Sequence, residues 1–307
     1  FLASVGQGGY VGLRSLQGVG AGAVQVASLA LVGVLVPLER RGRAFSAVFA
    51  AQLAGMAIGP LAGSIAGLAH LRWLFIATAA ASLTAIVPVL VGTRAHPVPI
   101  ASSERPPPLV VSRALVGVAL VGVSAGLVTG VYETCWSLLM NSRGAASWQI
   151  GLSWTLFAVP FAAFSPTAGR LVDRLDRRRL VIVALIASSA FAALYPFLPS
   201  VAWLMGLGVI EAIGVAVAFP AAQSMLTQTV AAEALGRAQG LFTTAETAAI
   251  AVAAGASGAM FGVARWVPFV VASALGGLIV LALPTLWRSL PGRVHTELSD
   301  AEHAMTC

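Results

Sequence analysis

Long apolar runs, broken by short segments that carry arginine, dominate the sequence. Nine runs can be marked, at roughly 10–37, 44–68, 72–92, 113–139, 148–168, 179–198, 201–228, 238–262 and 267–287. A helix needs about 20 apolar residues to cross the hydrocarbon core of a bilayer. Each run meets that requirement, and proline and glycine inside such helices are common. The pattern predicts an all-α polytopic membrane protein with nine transmembrane helices.

The polar positions between the runs set an orientation. Alternate connections hold Arg40, Arg41 and Arg43; Arg94, Arg105 and Arg113; Arg170, Arg174, Arg177, Arg178 and Arg179; Arg237; and Arg288 and Arg293. The opposite side holds Arg72, Arg143 and Arg265, and Arg14 falls within the first run. Cytoplasmic loops carry the excess of basic residues, so the C-terminal tail is expected in the cytoplasm. With nine spans, residue 1 would then lie outside. Because the chain opens on Phe1 within an apolar stretch, it is expected to be a fragment that lacks upstream spans.

One connection differs from the others. Segment 93–112 carries five prolines and reads as an extended cytoplasmic linker. It separates a three-helix remnant (1–92) from a six-helix half (113–287), with 288–307 as a cytoplasmic tail.

Composition narrows the function classes. The chain is 58% hydrophobic and 9% charged, against about 25% charged in a typical soluble domain. The net charge of +7 comes entirely from arginine. Those arginines sit between apolar stretches and form no basic, aromatic-interleaved face, so nucleic acid is not an expected partner. The two cysteines, Cys135 and Cys307, give neither a disulfide framework nor a metal-ligand spacing. Nor is there a nucleophile–base pair or a dinucleotide loop in a βαβ context. No enzyme activity, cofactor or metal is expected.

Three motifs stand out. In the second span Gly55, Gly59, Gly63 and Gly67 recur every fourth residue and share one helix face, a surface on which another helix can pack closely. Pro60 within it should kink the helix. The stretch GMAIGPLAGS (55–64) resembles the antiporter motif of the major facilitator superfamily's drug:proton antiporters, through Gly55, Gly59, Pro60 and Gly63; Ser64 stands where a further glycine is usual. In the first span RSLQGVGAGA (14–23) is similar to the fourth-helix motif of that family through Arg14, Gln17, Gly18, Gly20 and Gly22. GRLVDRLDRRRL (169–180) resembles its cytoplasmic gating-loop motif at Gly169, Arg170, Asp173, Arg174, Arg177 and Arg178, with Asp176 replacing a glycine. The resemblance implies a 6+6 helical bundle of which helices four to twelve are represented, the first three being absent.

Four ionisable residues fall inside the spans: Arg14, Glu133, Glu211 and Glu246. A charge there costs about 2.5–3.5 kcal/mol on insertion scales, which makes each a functional candidate. Arg14 has a plain alternative in snorkelling to the interface, and Glu246 in a structural hydrogen bond. The resemblance implies that the spans of Arg14, Glu133 and Glu211 line a central cavity, while Glu246 lies nearer the contact between halves. A carboxylate in such a cavity can exchange protons near neutral pH. Glu133 is the first candidate, with Arg14 as its charge partner and Glu211 as the next. Tyr132 and Trp136 could offer aromatic surface to an apolar or cationic substrate.

These features together imply a proton-coupled exporter of small amphipathic or drug-like compounds in the plasma membrane. Its partners would be a small-molecule substrate, protons and the lipid bilayer, and it would work by alternating access. A sugar or metabolite transporter of the same superfamily, or a non-transporting truncated membrane protein, is the alternative. In a background without Cys135 and Cys307, an impermeant thiol reagent applied to intact cells should label Arg143→Cys and spare Asp173→Cys. The reverse labelling would overturn the orientation.

Overall fold

The computed structural model describes residues 6–35, 38–67, 70–95, 109–230 and 234–288. Among these, all regular structure is helical: α1 (Gln7–Leu35), α2 (Leu38–Ala66), α3 (Leu71–Ala95), α4 (Arg113–Ser142), α5 (Ser147–Arg174), α6 (Arg177–Leu194), α7 (Val201–Thr229), α8 (Leu235–Val263) and α9 (Val267–Leu286). A 3-10 turn, Tyr195–Phe197, joins α6 to α7. Seven of these helices contain described stretches long and apolar enough to cross a membrane, and Ala51–Ala66 adds a shorter one. Most of linker 93–112, the tail after 288, and the side chains of Arg40, Arg41, Arg43, Arg94, Arg170, Asp173 and Arg174 lie outside the described residues.

The chain divides into two compact units. One comprises 1–104 with 147–158; the other comprises 105–146 and 159–307.

In the first unit the helix ends follow simple rules. Gly67 follows the last residue of α2 with φ +63, a left-handed cap that glycine adopts at no steric cost. It therefore terminates the helix and does not extend the glycine face. A Cβ added at Gly55, Gly59 or Gly63 would meet nothing within 4 Å. The contact between α2 and the start of α5 uses a different surface. Thr155 Oγ1 donates to the Ala57 carbonyl at 2.5 Å, and a Cβ on Gly151 would collide with Ser64 Oγ and the Pro60 carbonyl. A helix does pack closely on α2, but the small residue at the close approach is Gly151 of α5, not a glycine of the α2 face.

In the second unit α4 packs against α6, α7, α8 and α9. Its start is capped by Ser112, whose Oγ accepts from the Leu115 amide at 3.1 Å. Gly122, Gly126 and Gly130, again four apart, face α8 so closely that a Cβ would strike the Glu246 carbonyl at Gly126 or the Ile250 carbonyl at Gly130, and would crowd Phe242 at Gly122. Lipid tails are as apolar as leucine, so helices in a membrane associate through such close packing. Leu115, Val118 and Leu139 of α4 are fully buried, as are Phe269, Leu283 and Trp287 on the α9 side.

The gating-loop motif is mostly helix. The backbone of α5 runs through Arg174 and α6 begins at Arg177, which leaves Leu175 and Asp176 as the connection. Asp176 has φ −64 and its carboxylate accepts from the amides of Arg178 (2.9 Å) and Arg179 (3.4 Å). A carboxylate at a helix N-terminus satisfies orphan donors and complements the macrodipole. Aspartate thus replaces the usual glycine as a helix cap, at a position that requires no left-handed backbone.

The glycine seam gives a direct prediction. Gly126→Ala should lower the melting temperature of the detergent-solubilised protein, by the equivalent of about 1–3 kcal/mol for overpacking. Gly206→Ala, at a site with nothing within 4 Å, should leave it unchanged or raise it. Equal effects at the two positions would contradict the seam.

Candidate functional site

The second unit brings one carboxylate and four aromatic rings together. Glu211, ten residues into α7 and about 15 Å along it at 1.5 Å per residue, is only 3% exposed. Tyr132 of α4 donates its hydroxyl to Glu211 Oε1 at 3.0 Å. Tyr195, in the turn after α6, donates to Oε2 at 2.7 Å. Each carboxylate oxygen is thereby held by one phenol, and the two phenols come from different helical elements.

The rings around this carboxylate pack edge to face. Tyr132 and Tyr195 lie 5.7 Å apart at 87°, and Trp136 and Tyr195 5.0 Å apart at 88°. Tyr132 also sits 5.9 Å from Trp136 and 6.3 Å from Phe269 of α9. The two near-perpendicular pairs set the positive edge of one ring on the negative face of the next. Tyr195 and Phe269 are fully buried and Trp136 nearly so; Tyr132 is half-buried.

An ionised carboxylate offers about four lone-pair sites, and two phenols fill half of them. Hydrogen bonds to a charged group contribute about 1.5–3 kcal/mol each. Burying an unpaired carboxylate costs far more, tens of kcal/mol in the idealised limit. Both partners of Glu211 among the described residues are these neutral phenols, and no ion pair reaches it. No described cation therefore balances a negative charge on Glu211. A proton or a bound cation is what would balance it, and the rings supply faces suited to an organic cation.

The other sequence-selected residues fall elsewhere. Glu133 follows Tyr132 on α4 but is exposed, and Glu246 is half-buried on α8, where its backbone carbonyl packs on Gly126. Arg14, on α1 of the first unit, is exposed and donates to Gln17 Oε1 at 2.9 Å. Tyr132 and Trp136 belong to the Glu211 cluster. Tyr195 and Phe269 were not anticipated from the sequence. The available signal was scarcity, since the chain holds three tyrosines and two of them meet on one buried acid.

Removing either phenol has a readable consequence. In Tyr195→Phe or Tyr132→Phe the carboxylate keeps one donor, so the protonated fraction of Glu211 at fixed pH should rise. The infrared band of the buried carboxylic acid should grow accordingly; an unchanged band in both variants would mean that the phenols do not govern the acid.

The family model described as Major Facilitator Superfamily matches residues 2–134 and 114–305. No curated protein sequence matches the chain. The two matched ranges cover nearly all of the helices described above, and the chain belongs to the major facilitator superfamily of multi-pass membrane transporters.

Proposed function

We propose that this member of the superfamily is a proton-coupled exporter of small amphipathic, preferably cationic, compounds, and that Glu211 is the residue that alternates between proton and substrate. The observation that carries this reading is the buried carboxylate held by two neutral phenols inside an aromatic cluster. An acid so placed holds a proton, or exchanges it for a cation, more readily than it holds a bare negative charge. Glu133, the first candidate by sequence, is exposed on α4 and has no comparable cage, so Glu211 takes the leading place.

Alternating access gives the exchange a direction. With both phenols donating to the carboxylate the site favours the ionised form, which a bound cation completes. Movement of α4 away from α7 would withdraw Tyr132, and the carboxyl would then take up a proton in place of the cation. The antiporter-type stretch at Gly55, Gly59, Pro60 and Gly63 and the helix-end charges at Arg170, Asp173, Arg174, Arg177 and Arg178 belong to the gating surfaces in this reading. The protein would sit in the plasma membrane with its C-terminus in the cytoplasm, as the arginine distribution requires.

The test is exchange in proteoliposomes with an imposed pH gradient and a fluorescent lipophilic cation as substrate. Glu211→Gln keeps the shape and removes the titration. It should abolish uphill, gradient-driven accumulation while substrate binding stays within roughly tenfold, about 1.4 kcal/mol. Gradient-driven accumulation that survives in Glu211→Gln and disappears in Glu133→Gln would overturn this assignment and make Glu133 the carrier.

A further inference from the structure

Arg143 is one of three arginines on the side of the sequence that holds few, where the bias of membrane topology works against it. It caps the C-terminus of α4, its amide bonded to the Met140 carbonyl at 3.0 Å. The next residue, Gly144, takes φ +79 and turns the chain toward α5. From this corner the Arg143 guanidinium reaches the turn between α6 and α7, where Nη2 donates to the Pro196 carbonyl at 2.6 Å. Pro196 is the residue after Tyr195, and the Tyr195 phenol holds Oε2 of Glu211.

The bond is not explained by stability. Its acceptor is a neutral carbonyl, and Arg143 Nε is buried with no hydrogen-bond partner. A hydrogen bond from a charged donor and the penalty for one buried, unsatisfied donor are of similar size, so the net gain to folding is small. The contact does fix the position of a three-residue turn whose first side chain is the ligand of the buried acid.

We infer that Arg143 is a positioning residue for the Glu211 carboxyl: its bond to the Pro196 carbonyl holds the Tyr195–Phe197 turn so that the Tyr195 phenol stays on Oε2. The inference rests on Glu211 being the working acid of the transporter. Tyr132 and Arg143 ride on the same helix, eleven residues apart, and address the two oxygens of one carboxylate, one directly and one through the turn. A displacement of α4 at this end of the bundle therefore loosens both donors together. This converts a helix movement into a change in how firmly the acid holds its proton.

The ionisable groups around the acid are few. The two phenols face it directly. Glu133 is exposed on α4, Glu246 is half-buried on α8 with Arg237 exposed near that helix's start, and α9 carries no ionisable side chain.

The experiment compares Arg143→Ala, Arg143→Lys, Tyr195→Phe and the double variant Arg143→Ala/Tyr195→Phe in the reconstituted full chain. The readouts are the pH profile of tetraphenylphosphonium binding and the resonance Raman signal of the Tyr195 ring, isolated by difference from Tyr195→Phe. Arg143→Ala should shift the binding profile in the same direction as Tyr195→Phe, changing affinity at fixed pH roughly two- to tenfold, the weight of one hydrogen bond. Lysine, which keeps a donor of similar reach, should restore the profile. The double variant should match Tyr195→Phe alone, because the arginine acts only through the phenol. A profile unchanged in Arg143→Ala, or shifts that add in the double variant, would overturn the inference. If Glu211→Gln leaves the wild-type profile intact, the reading of Glu211 fails separately. The Raman signal then still decides whether Arg143 holds the Tyr195 phenol: an altered signal in Arg143→Ala supports that hold, and an unaltered one refutes it.

Discussion

A carboxylate buried among aromatic rings, with two neutral donors and no described cation, is the constraint on which the second unit depends. Hydrocarbon surroundings cannot solvate that charge, and two phenols supply only part of what water would. The arrangement is tolerable when a proton or a cation completes it, and costly otherwise. An acid in that position is therefore sensitive to small changes in its donors, a property suited to the proton exchange proposed for it.

The packing of α4 makes the cage possible. Glycines at 122, 126 and 130 let α4 lie directly against the backbone of α8. Tyr132 and Trp136 follow half a turn and more beyond the last of them, in the segment that meets α7 and the α6–α7 turn. Trp287 adds a further tie, with its indole donating to the Ala114 carbonyl at 3.3 Å near the other end of α4. The helix that carries half of the phenol cage is thus fixed along much of its length by contacts that leave no room for a side chain. The Tyr132 phenol therefore moves with α4 as one body.

Much of this architecture was legible in the sequence because lipid imposes a severe filter. Apolar runs of membrane-spanning length admit few readings, and α4 to α9 lie close to where those runs placed them. Local chemistry was legible less evenly. Asp176 looked like a departure from a loop motif and is a helix cap, a role that depends on which residue starts α6. The glycine repeat in α2 was the more conspicuous one, yet the repeat in α4 forms the close seam, because spacing marks a smooth face without naming what lies on it. Glu211 stood out as an acid within an apolar span. Its partners did not, since Tyr132 and Tyr195 are separated from it by 79 and 16 positions and only tertiary packing brings them together.

The central claim is that Glu211 gives up a proton when a cationic substrate binds. The most direct measurement is the number of protons released into weakly buffered solution on saturation with a lipophilic cation, compared between wild type and Glu211→Gln at matched occupancy. The account predicts release of up to one proton per bound cation in the wild type and essentially none in the variant. Equal release from both proteins, or none from either over the pH range in which exchange occurs, would contradict it.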